Sequence, residues 1–265
     1  MVLYKHGRLS IFVVVAMLVI AFRAAPSSAQ LSASSAGFRS LTFTLSVPSR
    51  SFLLFEPVPV TITLENRTAQ PVAAHAALSF SARTVEVLIQ PEGISAYRVE
   101  QLSPVTFRGQ VRPLTLPPGF REASTEPLIL NLQKILPTPG KYGIQAVLRN
   151  LDDQEILSNV VAIEVVQPVG LDQLAHQFLT DSGKVDFFFV GGGVAGDPVR
   201  YDEYETFARI YQGTVYADYA NLSLGQLHEA RREIDTARTF FAKVTKRNEY
   251  AAQRAAEALK RLPAQ

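Results

Sequence analysis

The amino-acid sequence predicts an all-β sandwich in the first half of the chain and a separate C-terminal all-α helical bundle in the second. Three observations carry this expectation. Up to Gln167 apolar side chains recur at every second residue, the period of a half-buried strand. Beyond Gly170 they recur at every third or fourth residue, the period of a helix face. The strand candidates are punctuated by Pro and Gly turns with little helical periodicity between them, the pattern of sheet packed on sheet. With 265 residues, 47% of them hydrophobic and 19% charged, the chain has the bulk of a globular protein of one large or two ordinary domains.

The first 29 residues read as a secretory signal peptide. Lys5 and Arg8 precede the apolar run Ile11 to Phe22, and Ser27 and Ala29 stand at the −3 and −1 positions of a cleavage site. The run is shorter than the roughly 20 residues a membrane-spanning helix needs. An N-terminal anchor left uncleaved is the alternative. Cleavage takes Lys5, Arg8 and Arg23 from the 26 basic residues, leaving 23 against 24 acidic ones. A net charge near −1 gives no reason to expect nucleic acid or an anionic membrane as partner. The absence of cysteine excludes a disulfide framework, thiolate metal sites and a lipoprotein anchor. The expected location is therefore the periplasm or the exterior, with no stable membrane span after cleavage.

Residues 30–37 form a small-residue lead-in, and residues 38–167 carry the predicted sandwich. Leu41 to Val47 alternates and ends at Pro48-Ser49-Arg50-Ser51. Val58, Val60, Ile62 and Leu64 face one way in the cleanest strand. Pro59 cannot donate to a ladder, so that end should be an edge or a bulge. Asn66 to Pro71 is turn chemistry. Val85, Val87 and Ile89 mark another strand, closed by Pro91-Glu92-Gly93. Tyr97 to Val99 and Val105 to Phe107 are weaker candidates. Leu128, Leu130 and Leu132 alternate again, and Val160 to Val166 closes the series. Before it, Pro139 and Gly140 suit the two central positions of a tight turn. Tyr142 then enters a strand continued by Ile144, Ala146 and Leu148, where its hydroxyl is expected to bond to backbone.

The run Glu56-Pro57-Val58 to Asn66, the Asn66-Arg67-Thr68 turn and Pro139 to Ala146 resemble bacterial extracytoplasmic immunoglobulin-like domains. The resemblance covers about half of the chain and implies a fold, not a function.

Residues 168–265 carry the predicted helices. Leu171, Leu174, Ala175 and Phe178 share one face of the first. Gly191, Gly193 and Gly196 satisfy G-x-G-x-x-G, but Asp197-Pro198 follows where a dinucleotide site needs a helix to begin, so 190–197 reads as a glycine-rich loop. Leu224-Gly225, Ala237 and Phe241 have the spacing of a tetratricopeptide repeat, and the segment resembles that family. His228, Asn221 and Glu249 depart from the residues usual there. The resemblance implies a helical surface for a protein partner, with Tyr204, Tyr211, Arg231 and Arg238 as the candidate contact residues. The nine Lys or Arg and five Asp or Glu from Glu229 to Gln265 read as a solvated face.

No H-E-x-x-H, G-x-S-x-G, P-loop or calcium-loop pattern is present, so no catalytic residue, cofactor or metal is predicted. His228-Glu229 reads as a surface pair, and Asp152-Asp153 as loop acids of the kind that could hold calcium. Asn66-Arg67-Thr68 and Asn221-Leu222-Ser223 fit the glycosylation sequon. The expected function is a non-catalytic binding or scaffold protein of the cell envelope, serving protein–protein interaction. A carbohydrate- or peptidoglycan-binding module using Tyr97 or Phe107 is the alternative, and an unrecognised hydrolase at the interdomain crevice the third reading.

Overall fold

A computed structural model describes residues 37–75, 78–80, 84–99, 113–128, 132–150, 153–183, 198–245 and 247–263. The signal-peptide region, the weak strand at Val105 to Phe107, Asp152 and the glycine loop lie outside the described residues. In chain order the strands are β1 (Thr42–Ser46), β2 (Ser51–Leu53), β3 (Val58–Glu65), β4 (Val72–His75), β5 (Val85–Pro91), β6 (Tyr97–Val99), β7 (Pro113–Leu116), β8 (Arg121–Leu128), β9 (Gly140–Arg149), β10 (Glu155–Leu157) and β11 (Val161–Val166). The helices are α1 (Leu132–Ile135), α2 (Leu171–Asp181), α3 (Pro198–Ile210), α4 (Val215–Ala230), α5 (Ile234–Lys243) and α6 (Glu249–Arg261).

β1, β3 and β8 form one antiparallel sheet, with β3 in the middle. β2, β11, β9, β5 and β6 form a second, in which β10 also pairs with β9 and β11 runs parallel to β2. β4 and β7 make a two-stranded ribbon. The alternation read from sequence is visible in β3, where Val58, Val60, Ile62 and Leu64 are all fully buried. Pro59 sits opposite Pro127 of β8, and β1 leaves the ladder at Ser46, opposite Thr61. At Pro59 the sheet is therefore notched on its β1 side, which suits a residue with no N–H to offer.

The predicted all-β immunoglobulin-like sandwich with a separate tetratricopeptide-like bundle does not form. The chain is mixed α/β, with 36% of the described residues in helices and 32% in strands. One continuous core runs from Phe38 and Phe43 through Ile62, Ile89 and Ile144 to Ala175, Leu179, Tyr204, Phe207 and Tyr216. Alternation reports that one face of a strand is dry without saying what dries it. Here α2, α3 and α4 supply part of that cover. α4 is buried on nearly every side from Val215 to His228, as a helix at the centre of a packed body must be. Among the described residues, Leu222, Ala237, Phe241, Ala251, Ala255, Ala258 and Leu262 form a second cluster of their own. Leu132, expected in a strand, opens α1 instead.

Candidate functional site

The two halves meet at the loop between β2 and β3. Phe55 has a φ of 65°, a left-handed conformation that costs an ordinary residue about 1 kcal/mol. The helices hold it there. The Tyr216 hydroxyl donates to the Leu54 carbonyl at 2.6 Å, and the Tyr219 hydroxyl to the Pro57 carbonyl at 3.0 Å. The Phe55 ring stacks on His176 of α2 with centroids 5.0 Å apart. Burial lowers the pKa of His176, and its Nε2 is buried without a hydrogen-bond partner.

Three carboxylates lie in this seam. Glu56 accepts from the Leu53 amide at 2.8 Å and from Asn248 Nδ2 at 2.7 Å. Asp172 accepts from the Val215 amide at 2.9 Å and from the Arg247 guanidinium at 2.6 Å. Asp218 accepts from the Thr245 amide and hydroxyl. Desolvation raises Glu56 to about 7, in the range where a carboxyl group could shuttle a proton at neutral pH. Burial also pushes up Asp218, Tyr216 and Tyr219, so both tyrosines remain neutral donors. Every oxygen of Glu56 and Asp172 is occupied by a protein donor, which makes this seam first of all a joint. Among the described residues no group of three or more His, Asp or Glu side chains is placed to hold a metal.

Above the joint, the notch beside Pro59 is covered by α6. Asn248 caps that helix by accepting from the Ala251 amide at 2.7 Å. Two cavities of about 280 Å³ each lie beside the helix and share Pro48, Pro59 and Tyr250, one over the first sheet and the other against β2 and Val166 of the second. One reaches down to Glu56, Tyr219 and Asn248. The other lies over Ser46, Thr61 and Thr125, with Gln253, Arg254 and Glu257 on its helical wall.

A different surface forms on α2. Its buried face carries Asp172, Ala175 and Leu179. Leu171, Leu174 and Phe178, expected from their spacing with Ala175 to pack inward, are 45%, 55% and 40% exposed. Val169 just before them and Ile210 at the end of α3 are exposed as well. The Phe178 ring touches Phe207 of α3 and Tyr211 just after it, so the stripe is continuous with that helix. The helix presents its apolar side outward because Asp172 must face the joint to meet Val215 and Arg247.

The residues singled out from sequence fall in several places. Pro139 stands just before β9, which Gly140 opens with a φ of 152°. Tyr142 is buried and donates to the Thr138 carbonyl at 2.7 Å. Leu224, Ala237 and Phe241 are buried between helices, and Gly225 lies directly against the Phe241 ring. Tyr204 is fully buried and so is not offered on the surface as a contact residue. Tyr211 is half-buried against Phe178 and Phe207. Arg231 lies 6.0 Å over the Tyr201 ring, and Arg238 bonds to the carbonyls of Leu262 and Pro263. His228 is not a surface residue. It is 5% exposed, stacks on Phe240, and bonds to the Tyr201 hydroxyl and to Glu233. Tyr97 gives its hydroxyl to the Ile135 carbonyl at 2.6 Å. Both sequons are interior: Asn66 and Asn221 are 0% and 1% exposed, and the Asn66 amide organises its own turn by donating to the carbonyls of Gln70 and Leu116. Sequence reasoning missed Glu56 and Tyr250. The one signal for Glu56 was an acid set alone between Phe52 and Val60 in an apolar run.

No family model and no curated protein matches the chain. Solved structures resemble parts of it distantly. A β-glucosidase of Erythrobacter marinus aligns with a TM-score of 0.30 and 19% identity over 48% of this chain and 15% of its own. The alkylpurine DNA glycosylase AlkC of Pseudomonas fluorescens gives 0.33 and 14% over 52% and 33%. The sporulation control protein Spo0M of Bacillus subtilis gives 0.29 and 6% over 54% and 55%. The chain thus spans between about a seventh and about half of these proteins, and similarity at this level carries no functional argument.

Proposed function

We propose that the chain is a non-catalytic binding protein, exported into the cell envelope, that holds a protein partner on the outward face of α2. The observation that supports this reading is the exposed stripe of Val169, Leu171, Leu174 and Phe178. A contiguous apolar patch on a folded surface is the usual mark of an interaction site. It is also costly to maintain unless something covers it, at about 25 cal/mol for each Å² of apolar surface kept from water. The spacing of Leu171, Leu174 and Phe178 suits the apolar ridge of a partner, seated much as helices seat against one another. Export rests on Lys5, Arg8 and the run Ile11 to Phe22. Among the described residues no helix is long and apolar enough to cross a membrane.

The test is a photo-reactive amino acid placed at Leu174 in living cells, with the exposed Asp153 as control position. A discrete adduct with a different protein at 174, absent at 153 and lost when Phe178 is changed to Asp, is the expected result. No adduct above the control, or an adduct only with a second copy of the chain, overturns the reading.

A further inference from the structure

We infer that the groove beside α6, running from the first sheet to β2 of the second, is a binding site for a neutral oligosaccharide, with the Tyr250 ring between two adjacent sugar positions. The site lies apart from the α2 stripe and extends beyond the reading given above.

The floor is a row of hydroxyls. Ser46 is paired with Thr61, and Thr61 with Thr125, so the three side chains project from the same face of three neighbouring strands. Thr61 and Thr125 already share a hydrogen bond of 2.8 Å, which leaves each hydroxyl further capacity to accept. The wall follows from helical spacing. Tyr250, Gln253, Arg254 and Glu257 stand at i, i+3, i+4 and i+7 of α6 and turn toward this floor. Tyr250 belongs to both cavities, and its ring is backed by Tyr219 at 6.4 Å between centroids. Its hydroxyl makes no hydrogen bond among the described residues.

Three features select the ligand. Both arginines of the wall are paired, Arg254 with Glu257 at 3.3 Å and Arg247 with Asp172 at 2.6 Å, and Glu249 lines the groove as well, so it favours a neutral molecule over an anion. Hydroxyl, amide and guanidinium groups beside one aromatic ring match a polyhydroxylated ring, which offers hydrogen bonds at its rim and C–H groups on its face. A peptide strand would gain little at the notch where β1 leaves β3, because Pro59 there has no N–H to offer a further strand. Two cavities of about 280 Å³ in contact, each near the lower limit for a small-ligand pocket, suit consecutive units of a linear chain.

The experiment is an array of glucans, xylans, mannans, chitooligosaccharides and peptidoglycan glycan strands, probed with the purified protein, followed by calorimetry of the strongest binder. Tyr250→Ala should weaken binding by about tenfold or more. Tyr250 also packs against the core, so the exposed Thr125→Val and Gln253→Leu variants provide the fold-neutral readout. Each should weaken binding several-fold, Gln253→Leu at unchanged melting temperature and Thr125→Val with no more than the small loss due to its bond with Thr61. Leu174→Asp should bind glycan as the parent does, which separates this site from the α2 surface. The proposal is overturned by any of three results: no glycan binds at millimolar concentration; binding occurs but ignores Thr125→Val and Gln253→Leu; or a random peptide library, not the glycan array, yields the ligands sensitive to these variants.

Discussion

Replacing Gly225 by alanine measures how α4 and α5 are held together. A Cβ built on Gly225 would lie 2.5 Å from two carbons of the Phe241 ring and 2.9 Å from a third. Carbon atoms in normal contact stay about 3.5–4.0 Å apart, so the methyl group is roughly 1 Å too close. Phe241 is 1% exposed and lies in the small cluster with Ala237, Ala251 and Ala255, so its ring has nowhere to swing without moving α6. Overpacking of this kind costs about 1–3 kcal/mol, and the severity of the overlap places this case at the upper end. Alanine gains about 1 kcal/mol over glycine inside a helix. The net expectation is a loss of about 2 kcal/mol. Urea denaturation followed by circular dichroism reads it directly. Phe241→Leu makes room for the methyl, so the double variant should lose about 1 kcal/mol less than the two single losses added together. A Gly225→Ala protein as stable as its parent, or strict additivity in the cycle, would refute the close approach as the reason for this glycine.

Other perturbations test the joint and the turn. Glu56 is raised from 4.5 to about 7 by burial, so between those values the folded chain keeps a proton that the unfolded chain has lost. Its penalty is absent below pH 4.5 and complete above pH 7, where it amounts to about 3 kcal/mol. Stability due to this group therefore falls as pH rises, and Glu56→Gln should flatten that fall. His176, lowered by burial, acts in the opposite sense near its own pKa, so the quantity to compare is the difference between variant and parent in urea midpoints from pH 5 to 8. An unchanged difference across that range would show that Glu56 does not titrate as described. Tyr142→Phe removes the bond to Thr138 and should cost about 1 kcal/mol in the same assay. A fragment ending at Gln167 should unfold without cooperativity and bind a hydrophobic dye, because it lacks the cover of Ala175, Leu179, Tyr204 and Tyr216. A sharp two-state transition in that fragment would mean the strands close a core by themselves.

What the sequence made legible was local. The alternation of Val58 to Leu64, the strand that carries Tyr142 and the helical spacing around Gly225 and Phe241 each coincide with an element or a contact, whereas Gly140 opens β9 and does not sit at the centre of a tight turn. Such patterns record whether a side chain is dry, and they do so within one turn or one strand. They carry no record of which distant segment dries it, and the predicted separation into two bodies failed at that point. α2 shows the limit most clearly. Leu171, Leu174 and Phe178 form the better apolar stripe, yet the helix is turned by one acid, Asp172, toward partners 43 and 75 residues away. Glu56 and Tyr250 were illegible for the same reason, since the groove between them exists only once residues from both ends of the chain have met.

The hydrogen bonds from Tyr216 to Leu54 and from Asn248 to Glu56 join positions 162 and 192 apart in the chain. Contacts of such long range slow folding, since the intervening loop must close before they reward it. During synthesis the early strands emerge well before the helices that shelter them. Their apolar faces stay uncovered until Ala175, Leu179, Tyr204 and Tyr216 have followed, and in that interval they are open to aggregation.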